Sequence, residues 1–139
     1  MSTRSRIGIE NADGTVSSIY CHQDGYPSWV GNMLISHYTD REKVEALIRL
    51  GNISSLDERL TPTPGTPHSF DGLRESGVVV AYHRDRGDSF HSPRVDEGFK
   101  EFRDSDVERY GYVFTLDGEW YCIEGDTSIR SFVKISELL

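Results

Sequence analysis

The chain has 139 residues, of which 36% are hydrophobic, 27% charged and 11% aromatic, the balance of a single soluble domain able to bury a core. Its 23 acidic against 15 basic residues give a formal charge of −8, a field that repels nucleic acid and anionic membranes at long range. No run is apolar for long enough to span a bilayer or serve as a signal-peptide core, and two cysteines are too few for a disulfide framework. A cytoplasmic protein with free, buried thiols is expected.

In chain order, Arg6–Glu10 and Val16–His22 flank an Asp13-Gly14 turn, and an Asp-Gly pair between such runs predicts a hairpin because Gly accepts positive φ. Pro27 suits the first turn of a helix, with Trp29, Val30, Met33, Leu34 and Tyr38 gathered on one face. A second helix is predicted from Thr39-Asp40, with Thr39 and Glu42 at capping-box spacing, a Val44/Leu47/Ile48 stripe and a stop at Gly51. Residues 57–76 carry Thr61-Pro62-Thr63-Pro64-Gly65-Thr66-Pro67 and predict an exposed surface loop.

Gly77–His83 then predicts a β-branched, central strand, and Arg84–Ser89 a polar turn. Phe99 and Phe102 place a short helix over 95–105, and Tyr110–Leu116 with Glu119–Ile123 form a second hairpin around Asp117-Gly118. The tail from Phe132 reads as a short helix or an edge segment. Together these elements predict one domain over 1–139. Its fold class is α+β: a mostly antiparallel sheet of two Asp-Gly hairpins and a central strand, with two or three helices on one face.

Two polar constellations could carry chemistry. In the first, alternation sends Tyr20 and His22 to one sheet face and Cys21 to the other, so no thiolate–imidazole couple is expected from these neighbours. Asp24, Gly25 and Tyr26 read as turn chemistry ahead of the helix, with Gly25 supplying an unusual φ. The sharper reading puts Tyr20, His22 and Tyr26 against an anion at the helix start. In the second constellation, Tyr82, His83, Arg84 and Arg86 read either as a solvated turn of locally paired charge or as a phosphate-binding group. A kinase-like His-Arg-Asp is only three letters of similarity, without the other motifs that chemistry requires. The histidines and cysteines lack metal-site spacing, so neither a metal nor a cofactor is expected. The acidic run Asp96-Glu97, Glu101, Asp104, Asp106 and Glu108 reads as a solvated face, or as a surface for a basic partner.

Thr3-Arg4-Ser5, Ile7, Asp13-Gly14-Thr15-Val16, Tyr20-Cys21-His22, Asp24-Gly25-Tyr26-Pro27, Gly31, Leu34 and His37-Tyr38 resemble a group of small phage and prophage proteins, as does the later Tyr82–Gly87. The resemblance covers residues 1–56 and patches beyond, with Gln23 where a tryptophan is expected. It implies a viral accessory protein rather than a particular reaction. By analogy of class, such proteins antagonise host defence, some by caging nucleotide-derived immune signals between subunits. The leading expectation is a non-enzymatic homo-oligomer that sequesters a phosphorylated nucleotide-like molecule. Its expected ligand-binding residues are Arg4, Tyr20, His22, Asp24, Tyr26, Tyr82, His83, Arg84 and Arg86. The alternatives are an inhibitor that binds a host defence protein through its acidic surface, and a small phosphodiesterase using His22 or His83 as acid/base.

Overall fold

In the computed structural model, which describes residues 2–139, the first Asp-Gly turn closes with Asn11 N–H donating to the Thr15 carbonyl at 2.7 Å and Gly14 at φ +89°. It returns β1 (Ser5–Glu10) antiparallel as β2 (Val16–Cys21), with Ile7 opposite Ile19. A π-helical turn, Pro27–Gly31, runs into α1 (Asn32–His37), and α2 (Arg41–Arg49) follows. Next come β3 (Ile53–Ser55), β4 (Val80–Ala81), α3 (Tyr82–Arg86), β5 (Arg94–Asp96) and α4 (Phe99–Asp104). β6 (Tyr110–Phe114) and β7 (Trp120–Glu124) pair antiparallel around Asp117-Gly118. β8 (Val133–Lys134) and a 3-10 turn, Ile135–Glu137, end the chain. None of the described helices is long and apolar enough to cross a membrane.

The fold is α+β. Its sheet runs β4-β3-β2-β1-β6-β7-β8, with β5 pairing the start of β2. Most pairs are antiparallel; β1–β6 and β2–β3 are parallel. Alternation divides the sheet cleanly. Ile7, Ile9, Ile19, Cys21, Tyr112 and Cys122 form the main core with Val30, Leu34, Tyr38, Val44 and Leu47 of α1, α2 and their flanks. On the opposite face Val16, Val113 and Ile123 meet Phe102 of α4 and Val107. Tyr38 and Trp120 lie deep in the main core and bury their polar atoms in hydrogen bonds. Tyr38 Oη donates to the Asp57 carbonyl at 2.6 Å and Trp120 Nε1 to the Tyr38 carbonyl at 2.8 Å, as buried aromatics with polar tips require.

Four local expectations are revised. The Gly77–His83 run is not a central strand: β4 is two residues long and lies at the sheet's edge, and Tyr82 and His83 open α3. Asp85 causes the switch, because its Oδ2 accepts the Ala81 N–H at 2.7 Å and folds the chain back. No capping box forms at Thr39; Asp40 occupies the N-cap, without a side-chain cap bond. The left-handed residue before the first helix is Asp24, at φ 55°, not Gly25. Gly25 is there for space: a Cβ would lie 2.8 Å from that of Ser5. Finally, the predicted 95–105 helix divides into β5 and the shorter α4.

Candidate functional site

The first constellation folds as alternation requires. Tyr20 and His22 share a face, and the Tyr20 hydroxyl and His22 Nδ1 lie 2.7 Å apart. Partial burial raises the Tyr20 phenol above its ordinary value, so the hydroxyl keeps its proton and can serve as donor or acceptor to the imidazole. Asp24 and Tyr26 are exposed, and Tyr26 Oη donates to Asp24 Oδ1 at 3.2 Å. The helix start is not an open anion site. The N–H groups of Trp29 and Val30 are taken by the Tyr26 carbonyl, at 3.0 Å each.

The second constellation is largely satisfied from within the chain. Arg84 donates to both oxygens of buried Asp85 (2.9 and 3.1 Å), to the Leu60 carbonyl (2.6 Å) and to the Val79 carbonyl (2.8 Å). Its fork is therefore engaged in holding three segments together. Arg86 grips Asp88 through two bonds, 2.8 and 2.7 Å, and lies over the rings of Phe70 and Tyr82, 4.6 Å from each centroid. The Asp88 pairing holds the Arg86 guanidinium even more firmly charged. His83 Nδ1 donates to the Asp88 carbonyl at 2.7 Å, and its ring meets Phe90 edge-on. Tyr82, His83 and Arg86 line a cavity of about 100 Å³, below the size that encloses a nucleotide.

A larger cleft lies elsewhere, at the ends of the central strands. Arg109 N–H bonds the Arg4 carbonyl and Gly125 N–H bonds the Arg109 carbonyl, which brings the start of β1, the start of β6 and the end of β7 together. The resulting space of about 520 Å³ is lined by Arg4, Asp106, Glu108, Arg109, Asp126 and Arg130, among others. Arg130 is bound to the carbonyls of Arg103, Ser105 and Gly125, and exposed Arg109 pairs with Asp126 at 3.2 Å. Exposed Arg4 has no side-chain acceptor among the described residues. Two residues on along the same face, Arg6 donates to Ser18 Oγ and to the Ser18 carbonyl, both at 3.0 Å. Burial and the neighbouring Arg94 charge pull its guanidinium down to about 10.

Arg6 lies directly opposite Tyr20 in the β1–β2 ladder, so their side chains are neighbours on one face. The charges of Arg4 and Glu108 also act on the Tyr20 phenol. The structure thus brings together Arg4, Tyr20 and His22 from the expected set, and adds Arg6, which sequence reasoning passed over. The available signal was its place two residues after Arg4 on a predicted strand. Asn52 links the two constellations, its side-chain oxygen accepting Tyr20 N–H and its backbone oxygen accepting Tyr82 N–H, and the Tyr82 phenol also acts on that of Tyr20. Of the nine expected residues, Arg4 lines the larger cleft and Tyr82, His83 and Arg86 line the smaller one.

Glu108 sits at φ 64°, and partial burial together with the adjacent Asp106 carboxylate holds its carboxyl above the ordinary range. Both cysteines are buried, and burial pushes each thiol up to about 12, far from the thiolate a nucleophile needs. Among the described residues no three His, Cys, Asp or Glu side chains converge as metal ligands. The acidic run is partly neutralised: Arg94 binds buried Asp96 at 3.1 Å and Arg103 binds Asp104 at 3.0 Å.

Fold and site together describe an α+β protein with a strand-end cleft of mixed charge, lined by exposed Arg4, beside which half-buried Arg6 and the Tyr20–His22 pair share a sheet face. Compared with family models, curated proteins and solved structures, the chain matches none.

Proposed function

We propose that the protein is a phage accessory, anti-defence protein that binds and sequesters a phosphorylated, nucleotide-derived signalling molecule, as a homo-oligomer and without turning it over. The observation that carries this reading is the Arg4–Arg6 pair beside Tyr20. Arg6 is half-buried, its charge opposed by Arg94 and partly offset by Asp96, Glu108 and Asp106, and Arg4 has no side-chain acceptor among the described residues. A phosphate there would supply Arg4 with an acceptor, because charge-assisted guanidinium bonds strengthen as water is excluded. The adjoining cleft of about 520 Å³ falls within the range that encloses a small ligand, about 300–1,000 Å³. Tyr20 supplies a ring for stacking and His22 a polar edge, while the depressed reactivity of both thiols suits binding rather than covalent chemistry.

Isothermal titration of the full chain against a panel of cyclic and linear phosphorylated nucleotides tests the reading. Saturable binding that is weakened about tenfold or more by Arg4→Ala, with the ligand recovered intact after denaturation, supports it. Failure of the whole panel to bind, or recovery of a cleaved ligand, overturns it. Native mass measurement with and without the bound nucleotide reports the oligomer.

A further inference from the structure

At the far end of β1 a second cleft, of about 320 Å³, has the opposite chemistry. Glu10, Phe99, Thr115, Asp117, Tyr121 and Phe132 line it. Six residues of strand separate Glu10 from Arg4, about 20 Å at the rise of an extended chain, so this cleft is independent of the nucleotide site. Its walls are aromatic: Phe99 and Phe132 meet at 83° with centroids 5.5 Å apart, making a corner. Tyr121 enters from β7, on the same face as Phe132 by its register with Lys134.

The two carboxylates are positioned from within the chain. Glu10 Oε1 accepts the Leu116 N–H at 2.9 Å, and Asp117 Oδ1 accepts the Thr115 hydroxyl. The second oxygen of each has no protein donor among the described residues, and Lys134, opposite Tyr121 in the ladder, forms no ion pair with either. An anion is disfavoured by the charge. A hard divalent ion, which takes six or more oxygen ligands, finds too few here. What fits a perpendicular aromatic corner with two carboxylates is an organic cation bearing apolar substituents, since the ring faces attract positive charge and also cover methyl groups. The molecule's charge of −8 raises the local concentration of such an ion.

We propose that this cleft is a binding site for an alkylated ammonium ion. Such an ion has two sources, a free small molecule such as choline or a methylated lysine on a partner chain, and the two share one recognition chemistry. The test titrates the full chain with choline and with its neutral isostere 3,3-dimethylbutan-1-ol, following ligand methyl resonances, which aromatic walls shift upfield. Choline is expected to bind saturably and about tenfold or more tighter than the isostere. Asp117→Asn, in an exposed turn, weakens choline and leaves the isostere unchanged. Phe132→Ala abolishes both; because that variant loses a core contact, Asp117→Asn decides the matter. Equal affinity for the two compounds, or saturation by neither, overturns the proposal. A trimethyllysine peptide that binds tighter than choline assigns the ion to a partner chain, and the reverse order assigns it to a free molecule.

Discussion

Arg84 and Arg86 are the same residue type two positions apart, and the fold uses them in opposite ways. Arg84 reaches inward to Asp85, Leu60 and Val79, while Arg86 lies outside over two rings, paired to Asp88. Arg84→Met leaves the Asp85 carboxylate buried without its cation, so thermal or urea unfolding should report a loss of about 3 kcal/mol. Arg86→Ala should leave the melting temperature nearly unchanged, because an exposed pair contributes little. Cys21 and Cys122 give a second contrast. Burial raises both thiols from 9.0 to about 12, so the unfolded chain releases these protons first. Stability supplied by the buried thiols is therefore complete below about pH 9 and falls as pH rises toward 12, by about 1.4 kcal/mol per thiol for each unit. Thiol reagents at pH 8 should modify the native protein far more slowly than the unfolded one, and rapid native labelling would contradict the assigned burial. Alternation along β2 is legible in residues 16–22, which is why Cys21 is core and Tyr20 and His22 share the other face. Arg84's role is not legible there, because its partners lie 24 residues away at Leu60 and in a turn read as solvated.

The segment of residues 57–76 shows how an element escapes a sequence reading. Three prolines and few large apolar residues announce a loop, and the loop is largely exposed. It is nevertheless pinned at both ends. His68, with 1% of its side chain exposed, accepts the Glu75 N–H on Nδ1 and donates from Nε2 to the Val79 carbonyl at 2.9 Å. Glu75 in turn holds Arg59 and Thr63, and its carboxyl is held below the ordinary range by those partners. Limited proteolysis of His68→Ala should cut within residues 57–76 well before the wild type; equal rates would show the histidine to be a passenger. The same lesson applies to the edge of the sheet, where a β-branched run yields a two-residue strand once Asp85 captures the Ala81 N–H. Local propensity predicted the hairpins, whose information lies in adjacent residues. It gave no notice of β1 pairing parallel to β6, an alignment between segments about a hundred positions apart. Gly125 marks a separate close approach, between the end of β7 and the segment that leads into β6. A Cβ there would lie 1.9 Å from the Glu108 carbonyl oxygen, so Gly125→Ala should push the Asp106–Arg109 turn away from β7 and cost about 2 kcal/mol. On the proposed function, nucleotide affinity should fall with it.

At the scale of the whole molecule, a charge of −8 and a local arginine pair act on an anionic ligand over different distances. Repulsion by the net charge extends about a Debye length, roughly 30 Å at 0.01 M salt and 10 Å at 0.1 M. In the proposed complex, contact bonds to half-buried Arg6 operate at hydrogen-bond range and are screened much less. Association should therefore speed up as salt rises from 0.01 to 0.1 M, while dissociation changes little. A conventional electropositive binder shows the reverse, because salt weakens its attraction. Stopped-flow measurement of both rates over this range distinguishes the two. pH adds a second control. Glu108 titrates above the ordinary carboxylate range because of partial burial and the Asp106 charge, and it sits in the same cleft. Its ionisation as pH rises places a negative charge beside the proposed phosphate subsite, so affinity should decline upward through that titration. By the same sign its folded-state contribution to stability is full below the unfolded carboxyl value and is lost above. Glu108→Gln should bind more tightly at neutral pH and show a flatter pH dependence in parallel titrations. A variant that keeps the wild-type pH profile would place the anion away from Glu108, and with it away from Arg4 and Arg6, whose charges act on that carboxyl.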